Sequence, residues 1–241
     1  GADFENFDKP RPDLSPAMEG QMKEVISTLV KNKWPFRIHA TYNETISRFL
    51  NVIEEVNKET PLDGLTWFFD HAETISVANL QRVKNLGGGI AIQHRMAFQG
   101  ESFIKRYGKK AAENTPPIKD MIDMGIPIGM GSDATRVSSY NPWIGLYWLT
   151  TGKTICCKKY QGERNILDRE TALKLYTQGS AKLVKLEADR GILKENYLAD
   201  FAISAVARDF AIVFTLANSM DSFTCDCMVV KPHYSSESRE N

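Results

Sequence analysis

The sequence has no excess of charge of either sign: Lys and Arg together number 30, and Asp and Glu together also number 30. A balanced chain sets up no field that would attract nucleic acid or an anionic membrane surface. Long apolar runs are also missing, and none approaches the roughly 18 residues that a membrane-spanning helix requires. We therefore expect neither a nucleic-acid partner nor a membrane partner.

Cysteine is scarce, with four residues in a chain of 241. Cys156 and Cys157 are adjacent, and Cys225 and Cys227 are separated by one residue, so neither pair has zinc-finger spacing. Four cysteines in this length do not make a disulfide framework, and we interpret these thiols as structural or incidental. The first 12 residues are polar and acidic and do not resemble a signal peptide. We therefore predict a cytoplasmic location, unless a longer precursor carries a signal peptide.

Histidine is equally rare, with four in the chain, yet three histidines lie at equivalent places. Four short apolar segments each run into a residue that can bind a proton or a metal ion. These residues are His39 in "PFRIHA", His71 in "LTWFFDHAE", His94 in "GGIAIQHR" and Asp133 in "IPIGMGSDA".

The segments between these apolar runs have the periodicity of amphipathic helices. The pattern predicts strands over 36–40, 65–70, 89–93 and 126–131, and helices over 15–33, 43–58, 76–86, 116–124 and 168–186, with another helix after Asn141-Pro142. Ser15, Ser76 and Asp168 are the predicted N-caps of their helices. A long loop is expected after the third strand. Strands that alternate with helices indicate parallel βαβ units, so the predicted fold class is α/β.

In parallel α/β folds, functional groups gather beyond the carboxyl ends of the strands. His39, His71, His94 and Asp133 should then share one end of the sheet. Each alone is most simply a hydrogen-bonded histidine or a helix-capping aspartate, but together they indicate a common site. Imidazoles and a carboxylate suit a divalent metal, with zinc first and iron or manganese as alternatives. Asp133 could accept a proton from metal-activated water.

Further residues follow these strands and could line a substrate pocket. Tyr42 and Asn43 follow the first strand, where a loop and helix cap is the simpler explanation, and Arg136 follows the fourth. His94 is interpreted as pocket-lining or structural rather than as a ligand.

Several motifs in order resemble the amidohydrolase superfamily, closest to its large branch of metal-dependent amide and formamide hydrolases. They are "RIHA", "DHAE", "GMGSDA", "NPW", "LDRETALKLYTQGSA" and "GILKENYLADFAI", and the resemblance covers about residues 1–230. It implies a TIM-type (β/α)8 barrel with a small β-sandwich. It also implies that His39 and His71 end barrel strands 5 and 6 as metal ligands, and that Asp133 ends strand 8 as ligand and general base.

The sequence departs from that family pattern at one important point. The barrel of such proteins begins with a His-x-His pair, which this sequence lacks, and many members add a metal-bridging lysine. A complete barrel also takes about 250 residues by itself. The resemblance therefore implies the C-terminal half of a barrel (strands 5–8) over 1–188, a β-sandwich segment over 189–234 and a disordered tail over 235–241.

These observations predict a metal-dependent hydrolase of C–N bonds with a small-molecule amide substrate, and little activity for this chain alone. The alternative is a noncatalytic α/β interaction module. A half-barrel leaves two open sheet edges and exposes some apolar strand side chains to water. We therefore expect either a homo-oligomer or association with the missing N-terminal half.

Overall fold

The computed structural model describes Phe7, Asp13 and residues 15–134 and 137–198. Arg136, most of the predicted β-sandwich segment and the predicted tail lie outside the described residues. The described helices are Met18–Lys31 (α1), Asn43–Glu59 (α2), Val77–Asn85 (α3), Arg95–Tyr107 (α4), Lys109–Ala112 (α5), Ile118–Asp123 (α6), Pro142–Thr151 (α7), Arg169–Lys174 (α8) and Ser180–Leu183 (α9). A 3-10 turn at Glu163–Asn165 and a π-helical turn at Leu175–Gly179 complete the helical segments.

The four described strands are Phe36–Ala40 (β1), Trp67–His71 (β2), Gly89–Gln93 (β3) and Ile128–Gly131 (β4). They form one sheet in the order β1-β2-β3-β4, and each neighbouring pair is parallel. The predicted α/β class with a parallel sheet is confirmed. In the part of the chain that the structure describes, no helix is both long and apolar enough to cross a membrane.

Three of the described helices, α3, α7 and α8, begin with a side-chain cap. The Ser76 side chain accepts a hydrogen bond from the Asn79 backbone at 3.3 Å, and Asp168 accepts one from Thr171 at 2.9 Å. Each cap satisfies a backbone donor that the first helical turn leaves without an intrahelical partner. The expected Ser15 cap is wrong, because α1 begins at Met18 and Ser15 instead accepts a bond from Ala17 in the preceding turn.

The loop expected directly after β3 is also wrong. The chain passes through His94 straight into α4, a helix of 13 residues. Its buried face includes Met96, Gly100 and Phe103, which recur at steps of three and four. Gly100 lowers the helix propensity of this segment, but packing requires it, because a Cβ there would lie 2.6 Å from the Tyr160 ring.

The register divides the sheet into two faces of different character. One row consists of Ile38, Phe69, Ile90 and Ile128. Phe69 stacks on Phe49 of α2, so this face packs against helices. Some of the apolar strand residues were expected to be exposed to water: Phe36 and Ile38 are half-buried, and Ile90, Ile92, Ile128 and Met130 are buried. The neighbouring row, on the opposite face, runs through His39, Asp70, Ala91 and Gly129.

The last helical segment packs against β4 and reaches the chain just before β2. The Ser180 hydroxyl donates to the Met130 carbonyl at 3.1 Å, and Lys185 reaches the Gly64 carbonyl before β2. Close approach requires glycine at β4, because a Cβ on Gly129 would lie 2.9 Å from the Ser180 Cα.

Gly129→Ala is expected to lower the free energy of unfolding by about 1–3 kcal/mol, because the added methyl group meets helix backbone that cannot rotate away. The matched control is Gly131→Ala on the same strand, where an added Cβ meets no heavy atom within 4 Å. Urea denaturation of both variants checks the prediction, and equal losses of stability would contradict it.

Candidate active site

Three of the predicted site residues lie together at the carboxyl end of the sheet. His39 is the fourth residue of β1, His71 is the last residue of β2, and Asp133 comes two residues after β4. The His39 and His71 rings pack edge to face, with centroids 4.6 Å apart. The His71 Nδ1 lies 4.0 Å from the Asp133 Oδ2. Side chains from three strands are thus drawn into one cluster, here called the His–His–Asp cluster.

The backbone at His71 is what brings the two imidazoles together. His71 is in register with Ala40, so a regular pleat would point it to the face opposite His39. Its φ is instead 78°, and that of Ala72 is 46°. Residues other than glycine seldom adopt this left-handed conformation, which costs on the order of 1–3 kcal/mol each and persists where surrounding contacts enforce it. This local turn ends the strand and places the His71 ring against His39.

Asp133 has a similar backbone, with φ of 51°. Its turn is fixed by Ser132, whose hydroxyl accepts a bond from the Ala134 amide at 3.3 Å and whose carbonyl accepts one from the Ser138 hydroxyl. The Asp133 side chain is 49% exposed, whereas that of His71 is 11% exposed. The cluster therefore presents a solvent-facing carboxylate beside a mostly covered imidazole.

The donor set can be compared with what a metal ion requires. Two imidazoles and one carboxylate are donors that zinc accepts, at about 2.0–2.2 Å each, so two ligands of one tetrahedral ion lie roughly 3.3 Å apart. The His71–Asp133 distance of 4.0 Å is slightly larger. Among the described residues, no three His, Cys, Asp or Glu side chains form a group that could hold a metal. The cluster fits zinc by donor type but is not a complete ligand set.

Asp70 is in register with His39 and is the residue before His71 in β2. Burial raises the pKa of its carboxyl above the ordinary value, and the Asp133 carboxylate adds to this, while Arg37 and His71 act in the opposite direction. The Arg37 Nε lies 3.1 Å from the Asp70 Oδ2. This carboxyl was not among the predicted site residues, although Asp70 directly precedes His71 in the sequence.

Two of the predicted pocket residues, Tyr42 and His94, are buried. Tyr42 is 2% exposed and His94 is fully buried. Burial lowers the pKa of the His94 imidazole, against the opposing effect of the Ser139 and Gly131 backbone. The His94 ring lies 6.0 Å from that of Phe98. His94 is thus brought to the same end of the sheet as the cluster but lies in the protein interior.

A buried ion pair between Glu73 and Arg95, neither of them predicted from the sequence, supports the strand ends. Both side chains are 2% exposed. The Arg95 Nε donates to the Glu73 Oε1 at 2.8 Å, and its Nη2 donates to the Oε2. Burial disfavours the charged guanidinium, but Glu73 and Tyr42 outweigh that effect, so the pKa of Arg95 is raised. The available signal was a pair of opposite charges, each within a few residues of the end of an apolar strand.

Comparison with known proteins identifies the family of the chain. The pattern described as "Amidohydrolase family" matches residues 4–214, and the chain belongs to that family. YtcJ of Bacillus subtilis (strain 168), which is named as an amidohydrolase, is 28% identical over 175 residues. The match covers 69% of this chain and 31% of the YtcJ sequence. A 5-methylthioadenosine/S-adenosylhomocysteine deaminase of Clostridium tetani (strain Massachusetts / E88) is 29% identical over 168 residues, or 69% of this chain and 37% of its own.

Solved structures share the fold. An uncharacterized metal-dependent hydrolase from Pyrococcus furiosus superposes with a TM-score of 0.64 at 21% identity. The match covers 79% of this chain and 37% of the hydrolase chain. The chain thus matches about a third of the length of the curated relatives and of this hydrolase.

Proposed function

We propose that the His–His–Asp cluster belongs to the hydrolytic site of a metal-dependent amidohydrolase that cleaves a C–N bond in a small-molecule amide. One observation carries the proposal: side chains from the ends of β1, β2 and β4 meet at the carboxyl edge of the sheet, and two of these residues have left-handed backbone. Strained backbone of this kind clusters at active sites. Membership of the amidohydrolase family supports the reaction class.

Each residue has a role that its surroundings support. His39 and His71 would hold a zinc ion through ring nitrogens, and Asp133 would add a carboxylate oxygen. When bound, such an ion polarises the substrate carbonyl and lowers the pKa of water to about 7. The Asp133 carboxylate faces solvent beside His71, and this position suits it to accept the proton of the attacking water.

We propose further that β1–β4 correspond to strands 5–8 of an eight-stranded barrel. The support is a parallel sheet whose strands follow chain order, together with solved relatives of which the chain covers little more than a third. Under this proposal the remaining metal ligands come from other strands. The outer edge of β1 would pair with a further strand, from the rest of the barrel or from a second copy.

A noncatalytic module is the second candidate. It is favoured by the finding that no three acidic, histidine or cysteine side chains among the described residues form a metal-binding group. The two candidates differ in what they predict for metal binding and its dependence on the cluster.

We expect this chain to bind Zn²⁺ measurably but more weakly than structural zinc sites with four protein ligands, for which binding provides about 10–16 kcal/mol. Simple N-acyl substrates should not turn over. Titration calorimetry of the chain, His71→Ala and the control His233→Ala tests this: binding should disappear in His71→Ala and persist in His233→Ala. Equal affinity in both variants would favour the noncatalytic module. Stoichiometric zinc that survives dialysis, with turnover that His71→Ala abolishes, would show that no other donors are needed.

A further inference from the structure

The turn that follows β2 lies between the candidate ligand His71 and the buried acid Glu73. From its contacts we propose that Glu73 and Arg95 are positioning residues that hold the His71 imidazole against His39. This proposal rests on the proposed function, because Glu73 and Arg95 would support His71, one of the residues of that site. Its structural content, the orientation of one ring, can be measured without any metal.

The ion pair is tied to the end of β3 as well as to the turn. The Gln93 side-chain amide donates to the Glu73 Oε1 at 3.1 Å, and the Gln93 Oε1 accepts from the Arg95 backbone at 2.5 Å. Arg95 is the first residue of α4, so its backbone is fixed by the helix. Glu73 is therefore anchored to the third strand and its helix through several bonds at once.

Backbone bonds anchor the same turn on its other side. The Ala72 amide donates to the Ala40 carbonyl at 2.9 Å, and the Thr74 amide donates to the Thr41 carbonyl at 3.2 Å. The turn is thus held to the end of β1 by its backbone and to the end of β3 by the Glu73 side chain. His71 and Ala72, the two residues with positive φ, lie just before Glu73 and are held from both sides.

Buried bonds of this kind can keep a strained turn from relaxing to extended backbone. If the Glu73 anchor is lost, His71 can return to the φ of an ordinary strand, and its ring would swing away from His39. A purely structural pair would behave differently, because its loss would lower stability but leave the two rings in contact. Residues that orient a metal ligand typically change metal affinity about 10–100-fold when they are replaced.

The test uses the full chain without metal and Glu73→Gln, which keeps the shape but removes the charge. A second variant, Glu73→Gln with Arg95→Met, removes both charges, so that no buried charge is left without a counter-ion. The matched control is Glu54→Gln. It breaks a bidentate Arg82–Glu54 pair of similar geometry, with bonds of 2.7 and 2.8 Å, on the surface between α2 and α3.

The readout is the nuclear Overhauser effect between the His39 and His71 ring protons, followed by zinc titration. We expect the ring contact to be lost in both Glu73 variants and kept in Glu54→Gln, with zinc affinity about 10–100-fold weaker in the first two. A folded double variant that keeps the ring contact would overturn the proposal. Failure of the wild-type chain to bind zinc would count against the proposed function but would leave the ring-contact result standing.

Discussion

Replacing Arg95 by methionine should lower the free energy of unfolding by about 3–5 kcal/mol, because it leaves the Glu73 carboxylate buried without its counter-ion. Both side chains of this pair are 2% exposed, so water cannot replace the lost partner. Methionine retains most of the length and apolar surface of arginine, which limits the loss of packing. Urea denaturation followed by circular dichroism gives the change directly.

Arg82→Met is the matched control, since Arg82 makes a bidentate pair with Glu54 and the two side chains are 26% and 37% exposed. Exposed ion pairs of this type contribute roughly 0–1 kcal/mol. We expect the loss in free energy of unfolding to be several times larger in Arg95→Met than in Arg82→Met. Similar losses in Arg95→Met and Arg82→Met would mean that the interior pair does not support the fold as described.

The purified chain should not sediment as a stable 27.2 kDa monomer at micromolar concentration. β1 is the end strand of the described sheet. The Phe36 amide bonds to Thr66 before β2, so the next amide along the strand, that of Arg37, points away from β2. Such an edge readily pairs with another strand. Sedimentation velocity over a range of concentrations should show larger species, or a copurifying polypeptide that supplies the further strands of the proposed barrel.

Arg37→Pro tests whether the β1 edge carries this association, since proline removes the outward N–H and leaves the bonds to β2 intact. Arg37→Ala is the control, because it removes the same side chain and its contact with Asp70 but keeps the N–H. We expect association to fall in Arg37→Pro and to persist in Arg37→Ala. A monomeric wild-type chain with a cooperative thermal transition would contradict the open-edge proposal.

Much of the fold could be predicted from local sequence signals. β1 and β3 lie where the apolar runs placed them, and Ser76 and Asp168 cap their helices as expected. α4 was missed because its helical propensity is weakened by Gly100, whose role depends on the distant Tyr160 ring. A contact between residues 60 positions apart leaves no trace in a local pattern.

The His–His–Asp cluster was predictable in its members but not in its geometry. Strand-end positions indicated that His39, His71 and Asp133 would share one edge of the sheet, and parallel topology brings them there. The left-handed backbone at His71 was not predictable, because a pleat alone would separate the two imidazoles. The buried partners Glu73 and Arg95 are recognisable only once the register of β2 and β3 is known.

The central claim is that His39, His71 and Asp133 act on one metal ion. Long-range ¹⁵N–¹H correlation of the imidazole nitrogens during Zn²⁺ titration tests it most directly, because the chain holds only four histidines. The account predicts that one ring nitrogen each of His39 and His71 takes on the shift of a metal-bound nitrogen, and that Asp133→Asn weakens this response. His94 and His233 should stay unchanged. Zinc shifts confined to His94 or His233, or an absence of shifts at His39 and His71 under saturating zinc, would contradict it.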